Sequence, residues 1–215
     1  MKIDEDGIKI AGVFFILAIV SYGCYYLAES YTGLWFFYIF FIVFLFSFYF
    51  FRDPERKIPQ DKNSIISAAD GIVVDVSQIE AEGFEGGMAL RIAVFMNVFN
   101  VHVNRSPFSG NVIKTIHRPG KKLSAFNKRA EYENEHGDID IETSFGLIRV
   151  RQIAGLIARR VVTRVKTGDN LEKGSRIGLI RFGSRVDVFL PSTCKPFTEK
   201  GDRVRAGESV IAIHG

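Results

Sequence analysis

A chain of 215 residues has room for one moderate globular domain, but its apolar content is uneven: eleven of its 20 phenylalanines fall in residues 14–51. The formal net charge of +4 leaves nucleic acid or an anionic lipid surface as partners, and no nucleic-acid-binding motif accompanies it. Two cysteines, Cys24 and Cys194, make a disulfide implausible and offer no metal-ligand spacing.

The first elements are two long apolar runs. Between Lys9 and Glu29 there are 19 uncharged residues, and between Glu29 and Arg52 there are 22. A helix crosses a bilayer with about 20 residues, and backbone groups in lipid must be bonded within the helix, so the runs predict a transmembrane helical hairpin over 1–51. The acidic start Asp4, Glu5, Asp6 and the second run argue against a cleaved signal peptide. Ser21-Tyr22-Gly23-Cys24 is a poor lipoprotein box, because Tyr22 is bulky beside the cleavage point. Arg52, Arg56, Lys57 and Lys62 follow the second run while the link carries only Glu29, which places both termini and the rest of the chain, 52–215, on the cytoplasmic side. From Arg52 onward 26 basic residues stand against 20 acidic ones, a balance suited to an anionic leaflet.

Beyond Pro59 the pattern becomes that of a mainly β domain. Strands are expected at 65–76, 89–96, 111–116, 139–143, 147–153 and 157–166, rich in valine and isoleucine and bounded by glycine, asparagine or aspartate. Ser144-Phe145-Gly146 reads as a hairpin turn, and the polar stretch 121–136 as a long loop or short helix. Near the end a repeat appears: Val165-Lys166-Thr167-Gly168-Asp169 followed by Lys173-Gly174 matches Thr198-Glu199-Lys200-Gly201-Asp202 followed by Ala206-Gly207, and each copy runs into an apolar strand. These turns resemble the half-motifs of biotinyl and lipoyl carrier domains, which implies a carrier-like barrel-sandwich in the C-terminal half. No lysine stands in a carrier modification motif, so the repeat speaks to fold alone.

Between the two copies lies Gly183-Ser184. Cleavage of a backbone at serine needs a hydroxyl against the preceding carbonyl, a base for its proton and stabilisation of the oxyanion. A glycine before the serine permits the close approach. Attack by Ser184 on the Gly183 carbonyl moves the acyl group to an ester; elimination leaves dehydroalanine, and hydrolysis gives a pyruvoyl group and ammonia. Two chains of 183 and 32 residues result. Of the four histidines, His102, His117, His136 and His214, the best placed base is His102, at the end of a strong strand. On residue type alone such a histidine is more often structural, and Asp70, in an Asp-Gly pair, is ordinarily a turn residue.

Four segments change that weighting. Phe50-Phe51-Arg52-Asp53-Pro54-Glu55-Arg56, Ala68-Ala69-Asp70-Gly71, Val98-Phe99-Asn100-Val101-His102-Val103-Asn104-Arg105 and Gly178-Leu179-Ile180-Arg181-Phe182-Gly183-Ser184-Arg185-Val186-Asp187 resemble the signatures of the phosphatidylserine decarboxylase proenzymes, in their short membrane-anchored form. The resemblance covers nearly the whole chain. It implies self-cleavage between Gly183 and Ser184, with Ser184 as nucleophile and source of a covalent pyruvoyl cofactor, His102 as base and Asp70 as the carboxylate that orients it. It further implies Schiff-base decarboxylation of a membrane serine phospholipid to the ethanolamine lipid and carbon dioxide, with the two chains remaining associated and with neither metal nor nucleic acid involved. Two positions depart from the pattern: Phe99 stands where longer relatives carry a second histidine, and His136 where an arginine is expected, which puts His136 at a substrate or pocket position. Two other classes compete. A non-catalytic membrane adaptor would explain the hairpin and the repeat but not the company of Asp70, His102 and Ser184, and a serine hydrolase would lack its Gly-x-Ser-x-Gly elbow.

Overall fold

Asp4 caps the first helix by accepting from the Asp6 N–H at 3.0 Å, and the acidic Glu5 and Asp6 suit the positive end of its dipole. The computed structural model describes residues 2–121, 123, 133–155, 160–181 and 184–215. The chain divides into two units, Met1–Glu55 and Arg56–Gly215. In the first, β1 (Lys2–Ile3) leads into α1 (Glu5–Ala28), which turns at Glu29 in the left-handed region (φ 49°) and returns as α2 (Tyr31–Phe50) to β2 (Arg52–Asp53). The hairpin closes at its base where β1 pairs with β2 and the Asp4 N–H bonds to the Phe51 carbonyl at 2.9 Å. Where the helices meet, a Cβ on Gly33 would stand 2.8 Å from the Ser21 carbonyl oxygen, so the close approach needs glycine. Most of the other side chains point outward, Trp35 and Ile16 among them, and mean hydropathy reaches 2.0 and 2.1 in the two helices.

The second unit is mainly β. Its strands are β3 (Ser64–Ile66), β4 (Gly71–Glu80), β5 (Met88–Met96), β6 (Val103–Arg105), β7 (Gly110–Arg118), β8 (His136–Thr143), β9 (Gly146–Ala154), β10 (Arg160–Thr163), β11 (Asn170–Leu171), β12 (Arg176–Arg181), β13 (Ser184–Pro191), β14 (Lys195–Pro196), β15 (Arg203–Val204) and β16 (Val210–Ile213). Antiparallel pairing gives an eight-stranded sheet in the order β11-β7-β8-β9-β13-β5-β4-β15 and two three-stranded sheets, β10-β12-β6 and β14-β16-β3. The large sheet curls, for residues of β4 and β7, with four strands between them, line one cavity. The hairpin expected at Ser144 joins β8 to β9, with Thr143 facing Gly146. The strand expected over 65–76 is broken instead: the chain passes from the small sheet to the large one at Ser67-Ala68-Ala69-Asp70, where the Ser67 hydroxyl bonds to the Ala69 carbonyl at 2.7 Å. Most of 121–136, and the start of the strand expected at 157, lie outside the described residues.

The two faces of the large sheet follow from strand alternation. One face carries Ile139 and Ile141, Ile148 and Val150, Val186 and Val188, Ile92 and Val94, all buried, and forms the core with the small sheets. The other carries a ladder of ion pairs. Asp138, Arg151 and Asp187 lie in one cross-strand row, and Asp140, Arg149 and Arg91 in the next. Arg151 clasps Asp138 at 2.7 and 2.8 Å, Arg149 clasps Asp140 at 2.6 and 2.9 Å, and Arg185 clasps Asp187 at 2.6 Å twice. The hydrogen bonds it donates to Asp140 raise the pKa of Arg149 against the effect of burial. Burial works against the Asp75 carboxylate, yet the Ser77 hydroxyl and Arg91 outweigh it and hold it below its ordinary range. A cavity of about 510 Å³ opens on this face.

The repeat proves longer than its turns. In one copy the Val112 N–H bonds to the Asp169 carbonyl and the Gly168 N–H to the Val112 carbonyl; in the other Val73, Asp202 and Gly201 do the same. Ser106 pairs with Gly174 and Ser175 as Ser67 pairs with Gly207 and Ser209. Gly168 and Gly201 have φ of 97° and 105°, and the carboxylates of Asp169 and Asp202 accept from Lys166 N–H and Glu199 N–H, each at 2.9 Å. Each copy therefore joins a turn from the C-terminal third to a Ser-x-x-x-Gly-x-Val segment far earlier in the chain: Ser67 to Val73, and Ser106 to Val112.

Candidate active site

Antiparallel strands bring the start of one and the end of its neighbour to the same edge of a sheet. One edge of the large sheet thus collects Asp70 before β4, Met96 closing β5, Ser184 opening β13, Ala154 closing β9 and His136 opening β8. Ser184 pairs with Met96 on one side and Ala154 on the other, so its backbone is held by two strands and its side chain faces inward with Val186 and Val188. The residue is fully buried, and its Oγ has no hydrogen-bond partner among the described residues. Gly183, the expected other side of the scissile bond, lies outside the described residues with Phe182.

His102 reaches this region from a small sheet. It stands just before β6, is 1% exposed, and its carbonyl accepts from the Ile180 N–H at 3.4 Å, on the strand that leads to Ser184. Its Nδ1 lies 3.0 Å from the Asn100 carbonyl oxygen. A carbonyl only accepts, so Nδ1 carries the hydrogen, and a neutral ring keeps its lone pair on Nε2. The backbone therefore fixes the tautomer that a base needs.

Asp70 is placed by other partners. Its carboxylate accepts from Nη2 of the buried Arg56 at 2.9 and 3.0 Å and from the Ala206 N–H at 2.8 Å. The second of these has a counterpart in the other copy of the repeat, where Ser109 Oγ accepts from the Lys173 N–H at 2.9 Å. Asp70 thus holds a turn, as Ser109 does, and carries in addition a charge neutralised by Arg56, whose other amino group lies 3.5 Å from Glu208. Arg56 belongs to the juxtamembrane signature, but sequence gave no reason to link it to Asp70.

Other residues around Ser184 left no signal in the sequence. Asn134 donates to the Ala154 carbonyl at 2.7 Å, and the Ala154 N–H bonds to the Glu135 carbonyl at 2.9 Å, bracing the strand end beside the serine. A buried polar chain runs from Thr163 to Gln152 (3.1 Å), Asn104 (2.8 Å) and the Met96 sulfur (3.7 Å). His136 faces the ladder side, lines the 510 Å³ cavity and has Nδ1 2.8 Å from the Asn134 carbonyl oxygen. Cys194 is no rival nucleophile, since burial pushes its thiol up to about 11. Among the described residues no cluster could hold a metal ion.

A buried serine on a clamped strand and a histidine of fixed tautomer tethered to the strand before it are the kinds of group that acyl chemistry at a serine hydroxyl uses. The sequence model of the phosphatidylserine decarboxylase family matches residues 43–212. Curated relatives described as phosphatidylserine decarboxylase proenzyme include that of Pelobacter propionicus, 47% identical over 82% of this chain and 80% of its own length. That of Desulfotalea psychrophila is 46% identical over 81% and 82%, and that of Geobacter sulfurreducens 44% identical over 96% and 92%. The chain belongs to the phosphatidylserine decarboxylase family.

Proposed function

We propose that this chain is a self-processing precursor that becomes a pyruvoyl-dependent phosphatidylserine decarboxylase by splitting between Gly183 and Ser184. The observation that carries the reading is the Ser184 hydroxyl, buried without a partner among the described residues at the first residue of a strand held on both sides. Buried polar atoms are ordinarily bonded, and an unanchored oxygen on an anchored backbone suits a residue whose side chain is to be converted. In this reading His102 Nε2 takes the proton of Ser184 Oγ as the oxygen attacks the preceding carbonyl, and returns it to the departing nitrogen. Asn100 holds the imidazole through Nδ1, and Asp70, fixed by Arg56 and the Ala206 N–H, sets an ion pair at this edge of the sheet. After cleavage residue 184 begins the smaller chain, where Met96 and Ala154 keep its strand in register, so the two chains stay associated through the sheet. The pyruvoyl group formed there supplies the electron sink for decarboxylation.

The hairpin serves the lipid substrate. Helices of 24 and 20 residues extend about 36 and 30 Å at 1.5 Å per residue, enough to span the hydrocarbon core. Arg52 sits at the end of α2 with its guanidinium 4.0 Å over the Tyr49 ring, as a basic residue does at a membrane interface. The basic residues after the second helix favour the cytoplasmic side for the catalytic unit, and the matched hydrogen bonds of the two repeat copies support a barrel-sandwich of two similar halves. Full-length protein in vesicles containing phosphatidylserine should release carbon dioxide and form the ethanolamine lipid, with Ser184→Ala abolishing both. Wild-type release matched by Ser184→Ala would refute the assignment.

A further inference from the structure

The buried chain of amides beneath Ser184 has a direction that its last member fixes. A thioether sulfur can only accept, so the Asn104 atom 3.7 Å from Met96 Sδ is the amide nitrogen. Asn104 Oδ1 then faces Gln152 and must accept from Gln152 Nε2 at 2.8 Å, and Gln152 Oε1 accepts from the Thr163 hydroxyl at 3.1 Å. The Thr163 hydroxyl and the Gln152 amide each donate to an oxygen, whereas the last donor in the series does not. Asn104, fully buried, directs its N–H at one of the weakest acceptors a protein offers. Met96 is also the direct cross-strand partner of Ser184, and opposed side chains on such pairs stand about 5 Å apart at Cβ. An under-used donor and a hydroxyl with no partner among the described residues therefore flank the same methionine, and all three residues are fully buried.

We propose that Asn104 is a catalytic residue of self-cleavage: its Nδ2–H leaves the Met96 sulfur and donates to Ser184 Oγ as negative charge develops on that oxygen. The bond changes are those of the cleavage already described, on whose reading this inference rests. The proton of Oγ passes to His102 Nε2, the Oγ–carbonyl carbon bond forms, and the peptide nitrogen leaves with the proton. Asn104 adds a donor that is already aligned and desolvated, so little reorganisation is needed when the charge appears. Gln152 is a positioning residue, because its bond to Oδ1 keeps the amide from flipping. Met96 holds the donor at rest without competing strongly for it.

The test follows splitting of freshly translated full-length precursor in detergent micelles on denaturing gels, with and without hydroxylamine, which cuts an ester but not a peptide bond. Asn104→Leu and Asn104→Asp, which remove the N–H groups, are each expected to slow splitting about 100-fold, the usual loss for one preorganised donor. Hydroxylamine is expected not to restore it, because the ester itself forms slowly. Met96→Leu, which removes only the resting acceptor, is expected to split at least as fast as the wild type. Wild-type splitting in a folded Asn104 variant, rescue of either variant by hydroxylamine, or a 100-fold loss in Met96→Leu would each overturn the role of Asn104. A wild-type chain that stays whole in the same gels while active would instead overturn the cleavage reading beneath it.

Discussion

The two faces of the large sheet manage polar groups in opposite ways. On the ladder face each aspartate meets an arginine in a two-point clasp, Asp138 with Arg151, Asp140 with Arg149 and Asp187 with Arg185. On the core face the Ser184 hydroxyl has no partner among the described residues, and the Asn104 amide ends on a sulfur. Satisfied charges make a rigid support, whereas unmet polar groups in a sealed interior are free to act on each other. The same strands carry both: β13 bears the Arg185–Asp187 pair on one side and the buried Ser184 on the other.

If this contrast is right, perturbing the core face should stop chemistry without unfolding the chain. His102→Gln should slow splitting by 10²–10⁴-fold with little change in melting temperature, measured on the full chain in detergent. Perturbing the ladder should do the reverse. Asp140→Ala leaves Arg149 without its clasp in a site where both side chains are mostly buried, and should cost about 3 kcal/mol by denaturant titration. Its splitting rate should stay within about twofold of wild type, so a large loss would erase the distinction between the faces.

Asp70 sits between these categories, and its double in the repeat separates them. Asp70→Ser should keep the bond to the Ala206 N–H, as Ser109 keeps the one to Lys173, so the fold should persist. If the charge serves the site, splitting should fall about tenfold or more in the same variant; an unchanged rate would make Asp70 a turn residue only. The smallest effect concerns acid. Because Asp75 titrates below its ordinary value when folded, its contribution is complete above the unfolded pKa of about 3.9 and is lost as pH falls through the lower folded value. Its side chain is 40% exposed, so the contribution is about 0.5 kcal/mol or less. The melting difference between wild type and Arg91→Gln should accordingly shrink from pH 6 to pH 3.

Much of this organisation is legible in the sequence where local physics dictates it. The apolar runs, the alternating strands and the turn at Ser144 follow from periodicity and turn chemistry. The Gly-Asp turns of the repeat stand out because positive φ demands glycine and the aspartate must cap the turn. Their partners do not stand out: Ser67 and Ser106 lie far earlier in the chain, and the exchange of Asp70 for Ser109 hides the equivalence. Ser184 and His102 were found through their flanking residues. Asn104 and Gln152 were not, since polar residues in short strands look solvent-facing until the fold buries them together across 48 positions.

The central claim is that Ser184 is both cut site and cofactor source. Intact mass measurement of the purified, active protein tests it most directly. The account predicts two chains, of 183 and 32 residues, with the smaller one blocked at its first residue by a pyruvoyl group. A single chain of 215 residues in active enzyme, or a smaller chain beginning with an intact serine, would contradict it.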